Sequence, residues 1–140
     1  MTLGMAMSEK VYEAGNSREA VRLYTSELAT EVAKPAPSWV QLSYLHQGLG
    51  EALSRADQYD KALKYYRKSL AIKLKRLEPE HLSMADSYNN IGVVHHAKGE
   101  YDKALEHYQK SLAIYLKQLG PKHPNVAMSY WVIGRAWRGK

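Results

Sequence analysis

Apolar side chains recur along this sequence at spacings of three and four residues, which is the periodicity of an α-helix. The pattern predicts a short helix from about Met84 to Ala97 and a longer one from Asp102 to about Leu119. Between them, "KGEYD" holds Gly99, which suits the left-handed backbone of a helix end, and "GPKHPN" stops the second helix. No segment alternates with period two for the length of a strand, so the sequence predicts an all-α fold.

The sequence of this helix pair is repeated along the chain. Residues 59–81 and 101–123 are identical at 16 of 23 positions, at an offset of 42. Three sets of positions keep this spacing: Gly50, Gly92 and Gly134; Ala20, Ala62 and Ala104; Tyr24, Tyr66 and Tyr108. A fixed period of this size is typical of a solenoid. It predicts a single domain over residues 1–140, with a degenerate unit 1–42, units 43–84 and 85–126, and a partial unit or capping helix at 127–140.

The small residues of the repeat indicate how its helices pack. Gly92 on the first helix and Ala104 on the second lack bulk where two backbones must approach, and Tyr108 fills the wedge beside them. This arrangement predicts close antiparallel helix pairs.

These residues resemble the tetratricopeptide repeat family, whose pattern has an aromatic, Leu-Gly, an aromatic, Ala, an aromatic, a small residue and Pro. "YNNIG" supplies Tyr88 and Gly92, and Ala104 and Tyr108 follow, whereas Leu116 replaces the proline. The repeat of 42 residues and "LKQLGPKHPNVAMSYWVIG" resemble the long variant of kinesin light chain and nephrocystin-type proteins. The resemblance implies a right-handed superhelical solenoid of about seven helices, with the first helix of each pair lining a concave groove.

By that resemblance, eleven residues are expected to form a partner-binding groove. Asn89 and Asn90 would hold the backbone of an extended peptide, because an amide side chain both donates and accepts hydrogen bonds. The alternative is that Asn90 simply packs or caps within its helix. The predicted groove residues are Tyr44, Gln47, Glu51, Asp86, Asn89, Asn90, Val93, His96, Trp131, Arg135 and Arg138.

The last helix allows two interpretations. Arg135 and Arg138 could bind acidic groups of a peptide through forked hydrogen bonds, or they could belong to the solvated face of a capping helix. Trp131 and Trp137 are six residues apart, so they lie on different faces, and we expect one in the core and the other exposed.

Composition limits the remaining choices. The chain has no cysteine, no apolar run long enough for a membrane span and no signal-peptide pattern, so we expect a cytoplasmic protein. A net charge of +6 permits an acidic partner. The helix after Tyr59 carries the cations Lys61, Lys64, Arg67, Lys68, Lys73, Lys75 and Arg76. Of these, Lys61, Lys64, Lys68 and Lys75 share one face that could contact nucleic acid, but an ordinary solvated face is the favoured interpretation.

Catalytic chemistry has little support in the sequence. His81 and His123 recur at the repeat period, as expected of residues that hydrogen-bond a helix end, and His95 and His96 point about 100° apart, which is poor for chelating a metal. The carboxylate clamp of some tetratricopeptide repeats lacks its cations here. We therefore predict no enzyme, cofactor or metal, and a scaffold or adaptor that binds a protein or peptide. The alternative is a structural segment, which either forms part of a longer solenoid in a larger assembly or self-associates through open solenoid ends.

Overall fold

A computed structural model describes residues 16–140, which form six α-helices and no strand. In chain order they are α1 Ser17–Val32, α2 Trp39–Arg55, α3 Tyr59–Arg76, α4 Leu82–Ala97, α5 Tyr101–Leu119 and α6 Pro124–Gly139. The all-α prediction is confirmed for this part of the chain. The first helix expected of unit 1–42 would precede α1 and lies outside the described residues.

The chain packs as two compact units, Met1–Ile72 and Lys73–Lys140. In the first unit, the buried Tyr66 ring of α3 lies directly against Gly50 of α2. A Cβ atom at Gly50 would come within 2.8 Å of a Tyr66 ring carbon, which is closer than carbon atoms normally pack. The small residue and the tyrosine are therefore matched parts of one helix contact.

The second unit repeats this contact between α4 and α5. A Cβ atom at Gly92 would lie 2.7 Å from the Tyr108 ring and 3.3 Å from the carbonyl oxygen of Ala104. The pairing along α4 and α5 runs in reverse order, from Asp86 with Tyr115 to His96 with Tyr101, so the two helices are antiparallel as predicted. The core between α5 and α6 contains Ala104, Leu105, Tyr108, Val132 and Ala136.

The connections follow the predicted turn chemistry. Gly99 and Gly120 have φ of 77° and 85°, the left-handed backbone that glycine adopts without steric cost. Asp57, which precedes Gly99 by one repeat period, has φ of 62°. Aspartate is among the residues that tolerate this conformation best, so the turn is kept without glycine.

The recurrent histidines begin helices α4 and α6. The Nδ1 atom of His81 accepts a hydrogen bond of 3.1 Å from the backbone N–H of Ser83, and His123 accepts one of 3.1 Å from Asn125. Each satisfies a backbone donor of the first helical turn that has no partner within the helix. The expectation that these histidines bond a helix end is confirmed.

One expectation about side-chain location is wrong, and one cation of α3 is buried. Trp131 and Trp137 are both exposed, at 59% and 55%, because the buried face of α6 is instead formed by small and aliphatic residues such as Val132 and Ala136. Lys73 is only 6% exposed, and its ammonium donates to Ser87 Oγ at 2.9 Å. Lys73 therefore does not add to the exposed positive charge of α3.

Candidate functional site

Five of the predicted groove residues lie on one face of α4. Asp86, Asn89, Asn90, Val93 and His96 follow one another at helical spacing, and none of them is buried. Ile91, Gly92 and Val94 form the buried side of α4. Because α4 packs through that side, its polar face remains accessible. Helix α4 thus presents amides, a carboxylate and an imidazole to whatever lies over it.

A pocket of about 300 Å³ opens between α4 and α6. Its α4 wall includes Val93 and His96, its α6 wall is formed by Val132 and Arg135, and Tyr108 of α5 lies at its base. The pocket combines apolar walls with three groups that can hydrogen-bond, and its volume is at the lower end of the range for small-ligand pockets. It is suited to one side chain of a bound segment.

The charge of the pocket comes from Arg135. Burial, with a further contribution from Arg135, lowers the pKa of His96, so this imidazole is neutral at pH 7. Burial raises the pKa of Tyr108 to about 12, against the opposing effect of the Arg135 guanidinium, so the phenol is also neutral. The pocket therefore offers one permanent positive charge beside neutral hydrogen-bonding groups, which favours a carboxylate.

Trp131 holds the arginine beside the pocket. The guanidinium carbon of Arg135 lies 4.8 Å from the centre of the Trp131 ring, one helical turn earlier. Stacking uses the face of the guanidinium and leaves its in-plane N–H groups free to form forked hydrogen bonds. On the α4 side, the His96 ring meets Tyr101 edge-on, with ring centres 5.2 Å apart.

A second, smaller cavity of about 40 Å³ lies elsewhere between α4, α5 and α6. It is lined by Asn89, Tyr115, Asn125, Met128 and Ser129. The neighbouring carboxylate of Asp86 accepts a hydrogen bond from the Tyr115 hydroxyl, so it is already engaged within the protein. Two amides, Asn89 and Asn125, are left facing this cavity.

Comparison with known families identifies the repeat. The tetratricopeptide repeat pattern matches residues 39–117 and 83–138, which together cover more than half of the chain. The chain belongs to the tetratricopeptide repeat family. No curated protein matches it.

Solved structures of the family share its fold. A proposed kinesin light chain of Podosopora anserina with nearly identical TPR-like repeats matches 97% of the chain with a TM-score of 0.85 and 25% identity. BtubC (BKLC) from P. vanneervenii matches 96% with a TM-score of 0.83 and 20% identity. The chain spans 64% and 53% of these two structures, respectively. The predicted all-α solenoid of antiparallel helix pairs is confirmed.

A third match is a complex. The TPR2B domain of yeast Sti1, solved with pHsp70, matches 98% of the chain over 95% of its own length, with a TM-score of 0.76 and 12% identity. At this identity the match shows the fold alone.

The structure brings together only part of the predicted tetratricopeptide groove. Val93, His96 and Arg135 line one pocket, and Trp131 stacks on Arg135. Asn90 is half-buried and Arg138 is exposed, and neither lines the two cavities described above. Asn89 lines the smaller cavity, and Asp86 bonds Tyr115. The other three belong to the compact unit that ends at Ile72: Tyr44 and Gln47 are half-buried, and Glu51 pairs with Arg55 at 3.8 Å.

Three residues that line the pocket, Ala97, Tyr108 and Val132, are not among the predicted groove residues. Tyr108 recurs at the repeat period as Tyr24 and Tyr66, a pattern that indicates packing. The recurrence was a correct signal for packing against Gly92, but the same ring also forms the base of the pocket. Val132 lies one repeat period of 42 residues after the predicted groove residue Asn90, and this spacing is the signal that indicates it.

Acidification from pH 7 to pH 5 is expected to destabilise the fold. Burial lowers the pKa of His46, His96 and His107 in the folded chain. The unfolded chain then binds protons first, so stability is complete above the ordinary histidine pKa of about 6.5 and declines as the pH falls toward the folded values. Urea unfolding at a series of pH values measures this. If the free energy of unfolding fell equally steeply between pH 7 and pH 5 in a variant with all three histidines changed to glutamine, the prediction would be wrong.

In the described part of the chain, no helix has the length and apolarity of a membrane span. The same residues, 16–140, contain no cluster of three or more histidine or carboxylate side chains that could hold a metal ion.

Proposed function

We propose that this protein is a non-catalytic cytoplasmic scaffold that holds a segment of a partner protein across α4 and α6. An acidic side chain of the partner binds Arg135 in the 300 Å³ pocket, between Val93 and Val132. The observation that carries the proposal is this pocket, in which one stacked arginine lies between apolar walls. The yeast Sti1 domain of the same fold, solved with pHsp70, is consistent with a protein ligand.

The chemistry of the two cavities defines the partner segment. Arg135 can form two parallel hydrogen bonds with a carboxylate, while the valines contact the carbon atoms of the same or an adjacent side chain. Asn89 and Asn125, at the smaller cavity, can hydrogen-bond the N–H and C=O groups of an extended backbone. We therefore expect a segment with one essential Asp or Glu beside an apolar residue.

A random peptide display library, selected on the full chain, tests this proposal. The selected sequences are expected to share an acidic residue next to an apolar one. In titrations with a synthetic peptide of that sequence, Arg135→Gln is expected to weaken binding about tenfold, the effect of losing one charge-assisted contact at a partly exposed site. Adding Asn89→Ala and Asn125→Ala, which removes both amides of the smaller cavity, is expected to weaken binding further.

Lys122→Gln is the matched control, because this exposed loop residue carries the same charge in the same unit but lines neither cavity. Selected peptides without a common acid, or equal losses of affinity in the Arg135 and Lys122 variants, would refute the proposal.

Self-association is the second candidate function, and light scattering of each preparation measures it. Four large apolar side chains of α6 favour it, each more than half exposed: Met128, Tyr130, Trp131 and Trp137.

A further inference from the structure

A separate pocket of about 360 Å³ lies in the first unit, among α1, α2 and α3. Its base is apolar, formed by Val21, Leu49 and Leu53, of which the two leucines are 2% and 4% exposed. Lys61 and Lys64, both exposed, belong to its α3 side. The pocket thus combines an apolar base with two ammonium groups at its edge.

Neither lysine has an acidic partner. Within residues 16–140, no carboxylate forms an ion pair with Lys61 or Lys64, whereas on α5 Lys103 pairs with Glu100 at 3.6 Å and Lys110 with Glu106 at 3.6 Å. The ammonium of Lys64 lies 5.6 Å from the centre of the Tyr65 ring. An aromatic face does not neutralise the charge, so both cations remain able to bind an anion.

The repeat shows that this pocket is a departure from the shared pattern. One period later, Leu53, Gln58 and Lys64 are replaced by His95, Glu100 and Glu106. There Glu100 accepts a hydrogen bond of 2.9 Å from His95 Nδ1 and pairs with Lys98 and Lys103, so the polar groups satisfy one another. In the first unit the same positions provide an apolar base and unpaired positive charge.

We propose that this pocket binds a small amphipathic anion, an organic carboxylate with an aliphatic body. The aliphatic part lies on the leucines and Val21, where contact with apolar carbon removes it from water. The carboxylate lies between the two ammonium groups, each of which offers three hydrogen-bond donors. The volume is within the range of small-molecule sites, and the pocket belongs to the first unit, so the proposal does not depend on the groove of the second.

Titration of the full chain with three probes tests the proposal, with backbone amide shifts and heat of binding as readouts. Decanoate is expected to bind saturably and to shift amides of α1, α2 and α3. Decanol, which has the same chain without charge, and inorganic phosphate, which has charge without the chain, are each expected to bind at least about tenfold more weakly. The double variant Lys61→Gln/Lys64→Gln is expected to weaken decanoate binding about tenfold as well.

Arg67→Gln is the matched control. It removes one positive charge from the same helix, its side chain is exposed, it does not line the pocket, and glutamine is the residue of the next repeat at Gln109. Binding in this variant is expected to equal that of the unmodified chain. Decanoate that fails to saturate, or decanol or phosphate that binds as tightly as decanoate, would overturn the proposal. A single-stranded oligonucleotide that outcompetes decanoate at these lysines would also overturn it, in favour of nucleic acid.

Discussion

Replacing Gly92 by alanine is expected to lower the free energy of unfolding by about 1–2 kcal/mol, although alanine is the better helix former. The new Cβ would lie 2.7 Å from the Tyr108 ring and 3.3 Å from the Ala104 carbonyl oxygen. Because Tyr108 is 3% exposed, its ring can move only by displacing its core neighbours. The cost of overpacking, about 1–3 kcal/mol, therefore exceeds the gain in helix propensity of about 1 kcal/mol. Urea unfolding measures the difference.

Gly134→Ala is the matched control, because Gly134 holds the same repeat position on α6 and a Cβ there would meet no atom within 4 Å. Only the helix-propensity term remains, so this variant is expected to be more stable by roughly 0.5–1 kcal/mol. The two substitutions are chemically identical and have opposite expected signs. If both stabilised the chain, close contact at Gly92 would not be a determinant of the fold.

The helix pairs could be predicted because packing imposes the same residues on each repeat. A tyrosine ring on a glycine, as in Tyr66 on Gly50 and Tyr108 on Gly92, excludes most other side chains from both positions. Such positions recur at a spacing that the sequence displays directly. Turns behave similarly, since Gly99 and Gly120 adopt the left-handed backbone that their residue type indicates.

The pocket between α4 and α6 could be predicted only in part. Helical spacing places Val93 and His96 on the accessible face of α4, and it places Arg135 on α6. It does not reveal that Tyr108, a packing residue of α5, also forms the base between them. A pocket depends on the distance between helices, which is set by many contacts and is absent from the residue pattern.

Lys73 shows a second reason why the sequence predicts the location of side chains only in part. The sequence places it among the cations of α3, but the structure buries it against the first turns of α4, where it bonds Ser87 Oγ. Burial lowers the pKa of this ammonium, and the nearby Asp86 opposes the change. Periodicity assigns a residue to a helix and a face, but the end of a long helix can meet a neighbour that the period does not indicate.

Tyr108→Ala is expected to destabilise the chain by about 3–5 kcal/mol, the largest effect of any single change considered for this protein. The ring packs on Gly92, joins the core between α5 and α6, and forms the base of the groove pocket. Its removal leaves a cavity among α4, α5 and α6, and these helices cannot all move inward to fill it. Tyr108→Phe is the control: it keeps the ring, so a loss within about 1 kcal/mol is expected. Thermal and urea unfolding of both variants measure these changes.

Combining Tyr108→Ala with Gly92→Ala separates the two effects. If Gly92 is required because of the ring, alanine at position 92 should cost nothing once the ring is gone, and the new methyl group would fill part of the cavity. The double variant should then be more stable than Tyr108→Ala alone by the helix-propensity gain of about 0.5–1 kcal/mol, which corresponds to a coupling energy of about 1.5–3 kcal/mol. Strictly additive losses would show that Gly92 is constrained by the Ala104 carbonyl rather than by Tyr108.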